Sequence, residues 1–188
     1  LTNHGFDYVF AMQPNNADNA AMMAHYAIAQ GLRRFVVLSD DTDYGTETTQ
    51  LFGSWATKGG GEILFRGSLT GYGRSMDRLL LFLMDNKVFS RDEIDAFFVA
   101  SASAMDTAKF IQRARELGLT MPILGPEYIF SSRIESFVGL EKMKDVAGVS
   151  LYDEQSEAPE AQAFVAAFEK AYGKRPDQWA AVGYGAVE

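Results

Sequence analysis

"FVVLSDDTDYGTE", residues 35–47, runs from five residues without polar alternation straight into Asp40, Asp41, Asp43, Tyr44 and Gly45. A short unbroken apolar run is the pattern of a strand covered on both faces, as in a parallel sheet. The segment behind it, YGTETTQLFGSWATKGG (44–60), reads as a helix with Leu51 and Trp55 turned inward. Gly59, Gly60 and Gly61 end that helix as a turn. A buried strand, an acidic turn and a helix follow one another within 26 residues, and the rest of the chain keeps the same rhythm.

Upstream, DYVFAM (7–12) is strand-like, and NADNAAMMAHYAIAQGL (16–32) is a helix with Met22, Met23, Tyr26 and Ala27 on one face. Downstream come strands at 62–69, 96–100, 121–124 and 146–152, and helices at 74–87, 104–119 and 133–140. The helix at 104–119 is the most regular, with Phe110, Ile111, Ala114 and Leu117 on one side and Gly118 as its stop. Two last helices cover 159–173, with Phe164, Val165, Phe168 and Tyr172 inward, and 176–188. Strands alternating with helices of this length require right-handed crossovers. The expected fold is therefore α/β, a doubly wound and mostly parallel sheet with helices on both faces.

The 188 residues are 47% hydrophobic and 22% charged, enough for a self-sufficient core. The net charge of -8 argues against nucleic acid or anionic lipid as the main partner. Cysteine is absent, which excludes disulfides, iron–sulfur clusters and thiolate zinc sites. The longest apolar run, LLLFLM (79–84), is far short of the roughly 20 residues of a membrane span. The chain opens without an initiator Met and closes inside a helical pattern, so both ends read as cut from a longer protein.

In an open parallel sheet, ligands bind beyond the carboxyl ends of the strands. Three such tips carry chemistry: Asp40, Asp41, Asp43 and Tyr44; Ser101 and Ser103; and Gly125, Pro126, Glu127 and Tyr128. Carboxylates, hydroxyls and rings without arginine or lysine suit a ligand with an ammonium or other donor end. Each residue also has a plainer role. Asp43 reads as the N-cap of the following helix, Asp40 and Asp41 as solvated turn residues, and Ser101 and Ser103 as caps. Glu127 stands apart, because Gly-Pro fixes the backbone before it among apolar neighbours. The acidic tip also suits Mg²⁺ in an enzyme or receiver domain, although the strand at 96–100 is followed by Ser101 where a receiver wants aspartate. His4 and His25 lack a ligand-spaced partner, and no nucleophile elbow or phosphate loop is present.

Four stretches, DYVF…PNNADNAAMMAHYAI, RRFVVLSDDTDYG, DAFFVASASAMDTAKFIQRARELGLTMPILGPE and PEAQAFVAAFEKAYGKRPDQWAAVGYGAV, carry a resemblance over essentially the whole chain. The sequence resembles type I periplasmic binding proteins, and among them the receptors of branched-chain amino acid ABC transporters. The resemblance implies a type I lobe with a partial second lobe. Residues 1–13 would end the first lobe, 14–150 would form the second, ligand-binding lobe, and 151–188 would return to the first. YDEQSEAPE (152–160) is the expected boundary or hinge. The implied function is a periplasmic, non-enzymatic receptor that closes on an amino acid or similar zwitterion and delivers it to a membrane permease, with no cofactor or metal. The same fold serves as the sensing domain of signalling receptors, which is the alternative. Residue by residue, the family's strand-end tyrosine falls on Tyr44 and its ammonium-pairing carboxylate on Glu127. A second family tyrosine aligns with Ser103, a departure from the pattern that removes aromatic surface. Ser101, Tyr128 and, near a family aromatic position, Trp179 complete the expected ligand-binding set.

Overall fold

The computed structural model describes residues 11–70, 76–85 and 90–187. The chain divides into two compact units, one of Asn15–Val149 and one of Leu1–Pro14 with Ser150–Glu188. The strand expected at 7–12 and the start of the helix expected at 74–87 lie largely outside the described residues, as does His4.

The larger unit runs α1 (Asn16–Ala29), β1 (Arg34–Ser39), α2 (Asp43–Lys58), β2 (Glu62–Ser68), α3 (Met76–Met84), β3 (Ala96–Ala100), α4 (Ala104–Glu116), β4 (Ile123–Gly125), α5 (Ser132–Val138) and β5 (Val146–Gly148). Short 3-10 turns lie at Arg91–Glu93, Glu127–Phe130 and Leu140–Met143. All strand pairings are parallel, in the order β2-β1-β3-β4-β5. The order reverses between β1 and β3, so these two neighbouring strands send their chains to opposite faces of the sheet. That is the switch point where open α/β sheets form their crevice.

Register sorts the core into two layers. Val36 pairs with Phe97, Leu38 with Val99, and Phe97 with Ile123. These side chains share a core with Leu79 and Leu83 of α3 and Phe110 and Ile111 of α4. The alternate residues Phe35 and Phe98 meet Phe52 of α2, whose ring stacks on Phe98 at 3.8 Å and meets Phe35 edge-on at 5.3 Å. All three rings are fully buried. Removing such a side chain costs about 3–5 kcal/mol, so Phe52 is a principal tie between α2 and the sheet.

Two helix phases and one strand length differ from the pattern read in the sequence. In α1 the buried residues are Asn19, Ala20, Met23, Ala24 and Ala27, while Met22 and Tyr26 are exposed. Small residues allow α1 to approach α2 closely, and the bulky Met22 and Tyr26 do not fit in that seam. In α2 the inward residues are Phe52 and Ala56, with Leu51 and Trp55 only half-buried. The Trp55 ring takes the edge of His25 at 5.4 Å and Lys58 over its face at 4.5 Å, so His25 has a packing role. β5 is three residues long and shorter than the expected 146–152.

The smaller unit holds α6 (Pro159–Tyr172) and α7 (Gln178–Gly185). Phe164 is its buried centre, ringed by Tyr152, Phe168 and Tyr184. Val165 and Phe168 are half-buried. Tyr172, expected inward, is two-thirds exposed, because it lies a full two turns beyond Phe164 near the end of α6. Among the described residues no helix is long and apolar enough to cross a membrane.

Candidate functional site

The carboxyl edge of the sheet gathers two buried carboxylates, Asp40 at the tip of β1 and Glu127 just past β4. Asp40 is only 4% exposed. It accepts from the Thr42 backbone N–H (3.1 Å), the Thr42 hydroxyl, the Ser101 hydroxyl (2.9 Å) and the Ala102 N–H (2.7 Å). Burial works against its charge, but the hydrogen bonds from Thr42, Ser101 and Ala102 outweigh burial and hold the carboxyl below its ordinary range. Asp40 therefore knots the tip of β1 to the tip of β3 across the switch point. It is not the solvated turn residue its sequence context suggests.

That knot explains the Tyr-Gly pair that follows. A Cβ on Gly45 would stand 2.2 Å from Asp40 Oδ1 and 2.9 Å from the Ala100 carbonyl oxygen. Only glycine lets the first turn of α2 close over the carboxylate. The N-cap of α2 is Thr42, whose hydroxyl accepts from Gly45 N–H at 3.1 Å. Asp43, expected to be the cap, is instead the first helical residue and exposed. There its charge still favours the helix N-terminus. Asp41 is exposed and accepts from the hydroxyls of Ser68 (2.8 Å) and Thr70.

Glu127 begins the 3-10 turn after Gly125-Pro126 and is 3% exposed. A Cβ on Gly125 would lie 2.7 Å from Ile129 and 2.9 Å from the Val99 carbonyl oxygen, so the glycine lets the turn fold back onto β3 and β4. Ile129 is buried beneath the turn, which leaves the Glu127 carboxylate on the sheet edge facing α1. Asn19 Nδ2 donates to its Oε2 at 2.8 Å. Burial is the largest influence and pushes the Glu127 carboxyl above its ordinary range; its own backbone N–H and the nearby Tyr44 hydroxyl oppose this without overcoming it. The Tyr44 hydroxyl is pushed up in turn, by burial first and then by the Glu127 charge. It lies beside the carboxylate without closing a well-formed hydrogen bond. The Tyr44 ring meets Tyr128 edge-on at 5.5 Å, and Tyr128 is 39% exposed.

Of the residues singled out in the sequence, Tyr44, Glu127 and Tyr128 form one cluster at the β4 tip. Ser101 and Ser103 lie at the neighbouring β3 tip. The Ser101 hydroxyl is buried against Asp40, while Ser103 caps α4 by accepting from Asp106 N–H at 3.2 Å. Trp179 sits half-buried on α7 of the smaller unit. Asn19 was not singled out. Its signal was present as a polar residue in register with Met23 and Ala27, on the stripe of α1 that packs inward. Among the described residues no three His, Asp or Glu side chains converge as a metal site would require.

A sequence profile described as periplasmic binding protein matches residues 2–188. No curated protein matches the chain. Among solved structures, a leucine-binding protein of Thermotoga maritima superposes with a TM-score of 0.83 at 24% identity, over 98% of this chain and 51% of its own. A branched-chain amino acid transporter substrate-binding protein of Streptococcus pneumoniae, in complex with isoleucine, gives 0.84 at 21% identity, over 97% and 51%. A solute-binding protein of an ABC transporter from R. palustris, in complex with benzoate, gives 0.78 at 24% identity, over 95% and 47%. The chain thus spans about half the length of these structures, and at such identities they establish a shared fold.

Proposed function

This chain belongs to the periplasmic binding protein family, and on that premise we propose that it is the ligand-binding part of an extracytoplasmic solute receptor for an amino acid or similar small zwitterion. The observation that carries the proposal is Glu127, a carboxylate almost sealed from water at the carboxyl edge of the sheet. Burial leaves it poorly stabilised as an anion. A ligand ammonium offers that carboxylate a charged donor, which a hydrogen-bonded neutral neighbour does not. Tyr44 and Tyr128 form the adjoining aromatic wall, on which the ligand's side chain or its cation packs. Ser101 and Ser103 hold the β3 tip beside them.

In this reading the protein catalyses nothing. Binding closes two lobes of the full-length receptor, and the closed form delivers the solute to the permease of an ABC transporter in the membrane. The assignment of 14–150 as one lobe and of 1–13 with 151–188 as part of the other belongs to the same proposal. A thermal-shift panel of amino acids, amines and carboxylates on the full-length protein tests it. A ligand at about 100 times its Kd adds roughly 2.7 kcal/mol of stability, and the shift is expected for an amino acid class. Glu127→Gln should cut that shift to about half or less; an undiminished shift contradicts the role given to Glu127.

One observation favours a second reading. The edge-to-face pair of half-buried Tyr44 and exposed Tyr128 also suits a flat aromatic ring, and one structural neighbour is in complex with benzoate. An aromatic carboxylate has no ammonium for Glu127, so its response should survive Glu127→Gln.

A further inference from the structure

We infer that Asn19 is the positioning residue for Glu127: its amide fixes the direction of the buried carboxylate and sustains its charged form, so that a ligand amine meets an anion and not a neutral acid. This rests on the reading of Glu127 as the partner of the amine.

The two residues are 108 positions apart in sequence, and both are nearly inaccessible, at 2% and 3%. Asn19 Nδ2 donates to Glu127 Oε2 at 2.8 Å, while its other amide atom, Oδ1, is buried with no hydrogen-bond partner. An unpaired buried carbonyl oxygen is destabilising. The rest of that helix face is Ala20, Met23, Ala24 and Ala27, so an apolar residue at position 19 would pack there without an orphaned oxygen. α1 thus bears a local folding cost in order to send a single donor to Glu127. On α2, which packs against α1, Tyr44 and Thr48 lie one turn apart and also carry buried hydroxyls without partners. A patch built only for stability would pair or remove these groups. Under-satisfied polar atoms on Asn19 and Tyr44, both beside the Glu127 carboxylate, are the mark of a site arranged for a ligand.

The donor acts on charge as well as on direction. A hydrogen bond to the ionised carboxylate opposes the burial that drives Glu127 toward its neutral form. Among the described residues, Tyr44 from α2 bears on Glu127, and Tyr44 in turn feels Tyr128 of the same turn as Glu127 and Asp40 at the β1 tip. α1 contributes the uncharged Asn19, so its amide tunes the carboxylate without adding a second charge.

The test is the titration of Glu127 in the full-length protein, followed by NMR of ¹³C-labelled glutamate carboxyl groups. The resonance is identified by its loss in Glu127→Gln. Asn19→Leu keeps the volume and removes the donor; it should raise the midpoint of Glu127 by about one to two pH units, from the strength of a hydrogen bond to a charged group. Asn19→Ala, which is gentler on packing, should move the midpoint in the same direction. An unmoved midpoint in a folded Asn19 variant overturns the inference. Its premise fails separately: if Glu127→Gln leaves the amino acid thermal shift intact while Asn19→Leu still moves the midpoint, Asn19 tunes a carboxylate that does not hold the amine.

Discussion

Asp40 and Glu127 are buried to the same degree at strand tips on the same edge of the sheet, and they titrate in opposite directions. Asp40 is surrounded by four donors from its own chain, two backbone and two hydroxyl, and burial loses to them. At Glu127, which accepts from Asn19, burial outweighs the opposing hydrogen bonds. Equal exposure therefore hides two different jobs. A carboxylate whose lone pairs are filled by the fold serves the fold, here by tying β1 to β3. A carboxylate that the fold leaves under-stabilised is the one set to gain from a cationic ligand.

The largest effect expected from this contrast is on stability at Asp40. Asp40→Ala removes a charged acceptor and strands four donors, so urea unfolding should show a loss of about 3 kcal/mol or more. A loss below 1 kcal/mol would break the comparison at its structural end. Glu127→Gln should do the reverse, leaving stability at neutral pH unchanged or slightly raised while affinity for an amine-bearing ligand falls about 10- to 100-fold, the equivalent of roughly 1.5–3 kcal/mol.

The two groups also bend the pH profile in opposite senses. Asp40 titrates lower in the folded state, so its stabilisation is present above its unfolded value and is lost as pH falls through its folded one. Glu127 titrates higher in the folded state, so the native protein binds its proton more tightly. Its contribution turns unfavourable as pH rises from the unfolded value through the folded one, and stays so above. Unfolding free energy measured against pH should lose part of its acid fall in Asp40→Asn and part of its decline toward neutral pH in Glu127→Gln. The smallest effect is expected at Tyr44. Its hydroxyl has no well-formed partner, so Tyr44→Phe should change stability by less than about 1 kcal/mol and leave the aromatic wall in place.

The fold was legible because its strands are short apolar runs separated by regular helices. "FVVLS", "AFFVA" and "MPIL" mark β1, β3 and β4 by composition alone, and the switch-point rule then selects their carboxyl edge. Tyr44, Glu127 and Tyr128 followed from that rule and from the family resemblance. What the sequence hid was contact across elements. Asp40 looks like its neighbours Asp41 and Asp43, and only the approach of Ser101 and Ala102 separates it from them. The capping role fell to Thr42 because Gly45 brings the helix start one residue earlier than the acidic pattern suggests. Asn19 stayed hidden because the alanine seam of α1 has almost no hydrophobic contrast, so its buried side cannot be phased from bulk, and Met22 and Tyr26 point to the wrong one.

The central claim is that a buried carboxylate selects the ligand's amine. The most direct measurement is calorimetry on the full-length receptor with two ligands that differ only at that group, L-leucine and 4-methylpentanoate. If the amine is what Glu127 recognises, L-leucine binds, the deaminated analogue is at least tenfold weaker, and Glu127→Gln erases the difference. Equal affinity for the two, or preference for the analogue, contradicts the account and gives the site to a carboxylate read by its aromatic wall.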